Sequence, residues 1–598
     1  MKNFFHSLRI ILSSDDLLKI YVLSFIMVCV AATEVFGLIL LSFLIVNMNT
    51  LENSFLELGM LSSYLGNFSV LKENLFLSLS LFIIFYAAVT SIIVFYTLKY
   101  VTISCQVIGS KIKLNLIQTF ISYDWSQALN TRNSENISRI LNDGNELGTL
   151  VNFLLHLFSK LVIAIMIISF LIIYNPLLTM IVSFSLVATY LIIFFYFRPL
   201  VKTLSDDASL ARDKTVQIIS NLFGSMKEII IYGNQKDILD SFIVANDQQA
   251  RATGENYFLA QAPRYLIDTM LIILLVVSSI LINSMSLNSI EVFASFAVFG
   301  IAALKLLPAF QNIFNFTHEI NMRMPYLKNT VKILSNKNSK LNSSQFKSKK
   351  ISDIEKIECK NITFRYQNSP NEAISNIDLT IQKGEKIAII GPSGAGKSTL
   401  IDILLGLLNP NSGFIKINDI NLEEIDQENY RSLFSYVPQK LYLLEDTIKR
   451  NILFGLDDKN ESINLNEALR ISQVTDLVKD MPHGLDTMIT DGNAIFSGGQ
   501  KQCIGMARAF CRTRSMLILD ESTNAMDSDL EGAIFSNIEQ SSFKTLILIT
   551  HKPRLLKRVD KIIVMNNRSI ESIGTFDELM RHNSYVQKMS QGSNIEIE

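Results

Sequence analysis

Cysteine is scarce and scattered in this 598-residue chain: five in all, Cys29, Cys105, Cys359, Cys503 and Cys511, an odd number with no C-x-x-C pair. That pattern excludes a disulfide framework or a zinc site and leaves reduced, structural thiols. Net charge is nearly absent too. Lys and Arg total 54 against 55 Asp and Glu, so no basic excess points to nucleic acid as a partner. A cleavable signal pattern is also lacking, because Asp15 and Asp16 precede a long apolar run with no small-residue cleavage site. Tryptophan occurs once, at Trp125, which fits either an anchor between parts of the chain or an ordinary core residue.

What the chain has in abundance is apolar length. Hydrophobic residues make up 49% of it, and they are concentrated before about Phe314; after Lys328 the sequence looks like an ordinary soluble α/β domain. Crossing a bilayer takes roughly 20 apolar residues in a helix. Six stretches fit, at about Ile20–Val46, Leu75–Leu98, Leu150–Tyr174, Leu177–Phe197, Tyr265–Ile282 and Val292–Phe314. Lys111, Lys113, Arg132 and Arg139 fall between the second and third. Arg198, Lys202, Arg212, Lys214, Lys227, Lys236 and Arg251 fall between the fourth and fifth. The Asn47–Asn74 loop has only Lys72, and the Asn283–Ile290 turn has no Lys or Arg. This asymmetry puts the basic segments and both termini in the cytosol. The basic segments are long enough for the spanning helices to extend into the cytosol, each turning back through a short crosswise helix near Tyr123–Trp125 and Gly224–Gly233. Domain boundaries follow: a helical membrane domain over 1–334, a polar linker over 335–350, and an α/β domain over 351–598.

The most informative stretch is EKIAIIGPSGAGKSTL, Glu385–Leu400. A buried strand runs into G-x-x-x-x-G-K-S and then an apolar helix, which is the phosphate-binding loop. Backbone N–H groups of Gly391, Ser393, Gly394, Ala395, Gly396, Lys397, Ser398 and Thr399 cradle phosphate oxygens at a helix N-terminus. Lys397 reaches the β- and γ-phosphates, and Ser398 holds Mg²⁺. Further on, MLILDE ends a hydrophobic strand in Asp520, placed to organise Mg²⁺, and Glu521, placed as general base toward the attacking water. FSGGQ supplies a second set of donors at a helix start, Ser497, Gly498, Gly499 and Gln500. These motifs predict an ATP- and Mg²⁺-dependent P-loop NTPase domain.

The full set resembles the ATP-binding cassette (ABC) transporters, and six spans ahead of one ATPase domain resembles an ABC exporter half-transporter. The resemblance implies roles for further residues. Tyr366 matches the aromatic that stacks on adenine, although a plain strand tyrosine also fits. Gln439 matches the glutamine that senses the γ-phosphate and, with Ser398 and Asp520, the metal. His551 matches the switch histidine, and Asp491 an acidic contact to the membrane domain. Departures are Phe496 where Leu is usual, Cys503 where Arg is usual, and Ser522–Asp527, which reads STNAMD but keeps the final acid. One phosphate loop and one signature per chain imply that ATP is clamped between two copies. A homodimer is the expectation and a heterodimer the alternative.

Substrate signals are weaker. Glu34 and Lys305 lie inside apolar spans, while Pro263–Tyr265, Asp268, His156 and Lys160 sit at span entrances. Two readings stand: mutual pairing, Glu34 with Lys305 for example, or a cationic patch gripping an anionic head group. Thr33–Gly37, Pro263–Arg264 and Lys305–Pro308 resemble the bacterial flippases of lipid-linked oligosaccharides, with Lys305 where that group has Arg. An amphipathic segment at Phe55–Leu71, entered through Leu51, is placed to lie at the outer interface against a polyprenyl tail. The resemblance implies an ATP-driven flippase of the bacterial inner membrane, with Glu34, Arg264 and Lys305 at the substrate. An exporter of peptides, drugs or other lipids, and a nucleotide-gated sensory protein, are the alternatives. The absence of a leader-peptidase segment disfavours a self-processing peptide exporter.

Overall fold

The computed structural model describes residues 2–46, 75–129, 131, 133–284, 289–341, 349–367, 369–456, 465–479, 481–490, 496–512, 515–541, 543 and 545–592. Asp491 and the Phe55–Leu71 segment lie outside the described residues. The chain divides into two compact units, residues 1–123 with 128–342, and residues 124–127 with 343–598.

Helices build the first unit: α1 (Lys2–Ile11), α2 (Ser14–Val46), α3 (Leu75–Ile121), α5 (Asn133–Tyr174), α6 (Pro176–Gly224), α7 (Met226–Tyr232), α8 (Gln235–Ser284), α9 (Ser289–Met322) and α10 (Met324–Leu341), while the short α4 (Trp125–Leu129) begins in the second unit. At ~1.5 Å per residue the 47 residues of α3 reach about 70 Å, more than twice a bilayer core. The helices expected to run on through the basic segments do so without a break, and the short helices α4 and α7 stand where turns were expected. Among the described residues, four helices are long and apolar enough to cross a membrane: Ser14–Val46, Phe76–Ile121, Asn136–Tyr174 and Ala297–Met322. The apolar stretches Leu177–Phe197 and Tyr265–Ile282 lie within α6 and α8. One difference from the sequence reading concerns the linker. Helix α10 continues to Leu341, so Ser335–Leu341, too polar to show an apolar period, are helical.

Two buried clusters hold this unit together. One joins α1, α2, α3, α5 and α10 through residues such as Leu23, Ile108, Leu116, Leu150 and Leu327. The other joins α2, α5 and α9 through Ala31, Val35, Ile167, Val298 and Ala302. Between α3 and α5 the backbones nearly touch. A Cβ on Gly109 would stand 2.5 Å from the Gly144 carbonyl oxygen, and one on Gly148 would stand 2.8 Å from that of Cys105. The absence of a Cβ at these glycines permits the approach.

Two sheets form the second unit. An antiparallel one runs β2-β1-β4-β5, from β1 (Lys356–Phe364), β2 (Ile374–Gln382), β4 (Ser412–Ile417) and β5 (Ile420–Asn421). The other runs β10-β9-β3-β8-β7-β6, from β3 (Lys386–Ile390), β6 (Phe434–Val437), β7 (Met516–Asp520), β8 (Thr545–Ile549), β9 (Lys561–Asn566) and β10 (Ser569–Gly574). It is parallel except for β10. Strands β7 and β8 are buried along their whole length, which explains their unbroken apolar runs. Helices α11 (Lys397–Leu404), α12 (Gly498–Phe510) and α13 (Ser528–Glu539) follow the three motifs. The site lies at the carboxyl ends of the parallel strands, where open α/β sheets bind ligands.

Candidate functional site

Strand β3 delivers the chain into a loop that only glycine can close. At Gly391, with φ +152°, a Cβ would sit 2.1 Å from the Met565 carbonyl oxygen. At Gly396, with φ +96°, it would sit 2.5 Å from Ile374 Cγ2. Both positions require a residue without Cβ. Lys397 opens α11 and folds back over the loop, its Nζ donating to the carbonyls of Gly391 at 2.7 Å and Pro392 at 3.1 Å. Burial lowers the ammonium's pKa, and the charges of Glu521 and Asp520 act against that shift. A cation held on a loop whose N–H groups open a helix is a receptor for phosphate.

The loop forms one wall of a cleft of about 550 Å³. Ser393–Thr399, Gln439, Glu521 and His551 line it, together with Ser369, Asn371, Glu372, Ala373 and Arg568. The latter five carry no motif and escaped the sequence reading. For Arg568 the one signal is the pair Asn567–Arg568 between two strands, which turns with both residues at positive φ (45° and 68°).

At the end of β7, Glu521 adopts a left-handed conformation, φ +47°, with its N–H tied to the Ile549 carbonyl at 3.1 Å. This sparsely populated geometry turns its side chain out of the strand run. The carboxylate is where the expected catalytic residues meet. Gln439 Nε2 donates to Glu521 Oε2 at 2.7 Å, and His551 Nε2 lies 3.2 Å from Oε1. Asn524, to which the sequence reading gave no role, also donates to Oε2, at 3.0 Å.

Asp520 faces inward and accepts from the Tyr436 hydroxyl at 3.3 Å. Burial, reinforced by the Glu521 charge, pushes its carboxyl up to about 6. Lys397 only partly offsets this acid's charge, and a divalent cation would supply further compensation. The oxygens of Ser398, Gln439 and Asp520 form a hard donor set that suits Mg²⁺. Among the described residues no three His, Cys, Asp or Glu side chains cluster as metal ligands.

Other expected residues stand apart from the cleft. The Tyr366 hydroxyl pairs with Thr399 Oγ1 at 3.1 Å, and its ring meets Phe364 edge-on at 5.0 Å, so it packs beside the loop and does not line the cleft. Ser497 caps α12 in a reciprocal box with Gln500, its backbone N–H donating to Gln500 Oε1 at 2.8 Å. Ser497, Gly498, Gly499 and Gln500 do not line this cleft either. Phe496 and Cys503 are buried, and burial raises the thiol to about 11. Asp527 caps α13 by accepting from the Leu530 N–H at 2.8 Å. Trp125 falls with the second unit and donates to Asp402 Oδ2 at 3.1 Å, one turn along α11 from the loop.

In the helical unit the proposed substrate residues are paired locally. Lys305 Nζ lies 3.3 Å from Glu34 Oε2. Arg264 Nε lies 3.7 Å from Asp268 Oδ2, and Gln311 donates to the same carboxylate at 2.9 Å. No ion pair or hydrogen bond among the described residues joins Arg264 to the Glu34–Lys305 pair.

Residues 374–524 match the ABC transporter family. An ATP-dependent lipid A-core flippase of Vibrio vulnificus (strain CMCP6) is 32% identical over 233 residues, 39% of this chain and 40% of that protein. The mesentericin-Y105 transport/processing ATP-binding protein MesD of Leuconostoc mesenteroides is 26% identical over 559 residues, 92% of this chain and 75% of that protein. Three curated relatives are matched over 36%, 40% and 66% of their own lengths. A solved bacterial Atm1-family ABC exporter with ATP bound superposes with a TM-score of 0.76 at 17% identity, covering 97% of this chain and 99% of that one.

Proposed function

We propose that this chain, which has the fold of a solved ABC exporter and an ABC transporter match over residues 374–524, hydrolyses ATP to move an amphipathic, phosphate-bearing glycolipid across a bacterial inner membrane, as a homodimer with cytoplasmic termini. The observation that carries the hydrolytic part is the convergence of Gln439, Asn524 and His551 on the Glu521 carboxylate beside the phosphate loop. Glu521 takes the proton of a water whose oxygen attacks the γ-phosphorus, and ADP leaves with the bond to its β-phosphate oxygen broken. Lys397 and the loop N–H groups offset the charge that builds on the phosphoryl oxygens. Ser398, Gln439 and Asp520 are the residues that would hold Mg²⁺, which when bound would offset the negative charge of the phosphates. Because Ser497–Gln500 stand away from the chain's own cleft, a second copy is the natural supplier of that set of donors. Binding energy drives transport by favouring the closed pair, and hydrolysis reverses the preference.

The finer reading of the substrate is a polyprenyl-pyrophosphate oligosaccharide. It rests on the Thr33–Gly37, Arg264 and Lys305 motifs and on the glycolipid named for the flippase relatives. The exposed Lys305 ammonium, paired at 3.3 Å with a single carboxylate, can exchange that partner for a phosphate. A peptide exporter is the second reading, favoured by the match to MesD along 92% of the chain. Reconstituted protein should raise its ATP turnover with a polyprenyl-pyrophosphate saccharide. Stimulation by peptides and not by any phosphoglycolipid would transfer the assignment to the second reading.

A further inference from the structure

In the Ser522–Asp527 segment, the geometry points to Asn524 as a positioning residue that fixes which oxygen of Glu521 takes the proton from water. The inference rests on the reading of Glu521 as general base. Asn524 lies one turn after Glu521, its N–H donating to the Glu521 carbonyl at 3.2 Å, while its side-chain amide returns to Glu521 Oε2 at 3.0 Å. Gln439, from a distant segment, donates to the same oxygen at 2.7 Å. Two amide donors therefore occupy Oε2, and Oε1 is left to His551 and to water.

An exposed amide on a loose loop would not hold a carboxylate. This loop is fastened from below. Lys552, the residue after His551, donates from Nζ to the Thr523 carbonyl at 2.8 Å and to the Met526 carbonyl at 3.3 Å, and pairs with buried Glu531 at 3.0 Å. Ser522 and Thr523 are fully buried, and the Met526 N–H closes a turn on the Thr523 carbonyl at 3.1 Å. The backbone on both sides of Asn524 is thus fixed, and its amide meets Glu521 with little further loss of freedom. A serine there would be too short to span the same gap with both its backbone and its side chain bonded to Glu521.

The test uses full-length protein in lipid nanodiscs, with steady-state ATP turnover measured for wild type, Asn524→Ala, Asn524→Ser, Glu521→Gln and the double variant Glu521→Gln/Asn524→Ala. Affinity for a fluorescent ATP analogue and the melting temperature are read alongside. We expect Asn524→Ala to lower kcat about tenfold with KM and analogue affinity changed less than about twofold, because the amide touches the base and not the nucleotide. Asn524→Ser should behave likewise while melting with wild type. The double variant should turn over no more slowly than Glu521→Gln alone, since Asn524 acts through Glu521. Wild-type kcat in both Asn524 variants, or a further tenfold loss in the double variant, overturns the proposal. If Glu521→Gln itself hydrolyses ATP at the wild-type rate, the general-base reading fails first and the role of Asn524 falls with it.

Discussion

The two halves of the molecule treat charge in opposite ways. In the nucleotide-binding unit, side chains from two distant segments, Gln439 and His551, join the neighbouring Asn524 on one carboxylate, within 3.2 Å of Glu521. In the helical unit, charges are met by nearby partners in small separate groups: Glu34 by Lys305, Asp268 by Arg264 and Gln311, and Arg323 by Glu146 and Glu319. Phosphoryl transfer demands fixed donors at fixed distances, so its residues must be gathered and held. Apolar helices demand that the charges they carry stay cheap, and pairing accomplishes that.

Breaking the gathered site should give the largest effects. Lys397→Ala should lower ATP turnover by ~10³-fold or more, since it removes the cation that faces the phosphates. Glu521→Gln should lower it by about 10²–10⁴-fold while nucleotide affinity persists. Coupled-enzyme turnover together with a nucleotide-binding titration checks both. Breaking the paired charges should act on transport. Lys305→Met should remove the substrate-stimulated part of ATP turnover and reduce lipid movement about tenfold or more, and the charge-reversed pair Glu34→Lys/Lys305→Glu should fold but not transport. Vesicle transport with thermal melting separates those outcomes.

Smaller effects sharpen the contrast through stability. Replacing Gly148 by Leu forces α3 from α5 against a 2.8 Å approach, and should cost about 1–3 kcal/mol, read as a lower melting temperature in detergent. Asp520 gives a pH signature. Its carboxyl holds its proton up to about 6 in the folded chain, against 3.8 for the free group. The stability this contributes is complete below about pH 4 and is lost as pH rises through about 6. At pH 7.5 the ionised, buried acid is therefore a burden. Without nucleotide or metal, Asp520→Asn should melt above wild type by on the order of 1 kcal/mol, with the difference gone near pH 4.

The same contrast explains what the sequence disclosed. Gly391 and Gly396 must be glycine because carbonyl and side-chain atoms stand where a Cβ would be, so the phosphate loop is legible as a spelled motif. Strands β7 and β8 are buried on both faces and show as apolar runs. The six apolar stretches fall within long helices, of which four among the described residues are long and apolar enough to cross a membrane, and the helices' extensions were legible from the basic loops. Local pairs left less trace. The Glu34–Lys305 contact spans 271 residues of sequence, and nothing in spacing decided between pairing and a head-group patch. Tyr366 was identified by position, but its hydroxyl is directed to Thr399 by a tertiary contact that no local pattern encodes. Asn524 stood out only as a departure, because its effect depends on the fold around Glu521. The helical course of Ser335–Leu341 was hidden by polar composition.

The central claim is that hydrolysis at Glu521 moves a phosphate-bearing glycolipid between leaflets. It is tested most directly in sealed proteoliposomes carrying a labelled polyprenyl-pyrophosphate oligosaccharide, with an outside probe counting the lipid that crosses. Wild-type protein should move the label with ATP and not without it, and Glu521→Gln should bind ATP yet move almost none. Label crossing at the same rate with Glu521→Gln, or in the absence of ATP, would contradict the account.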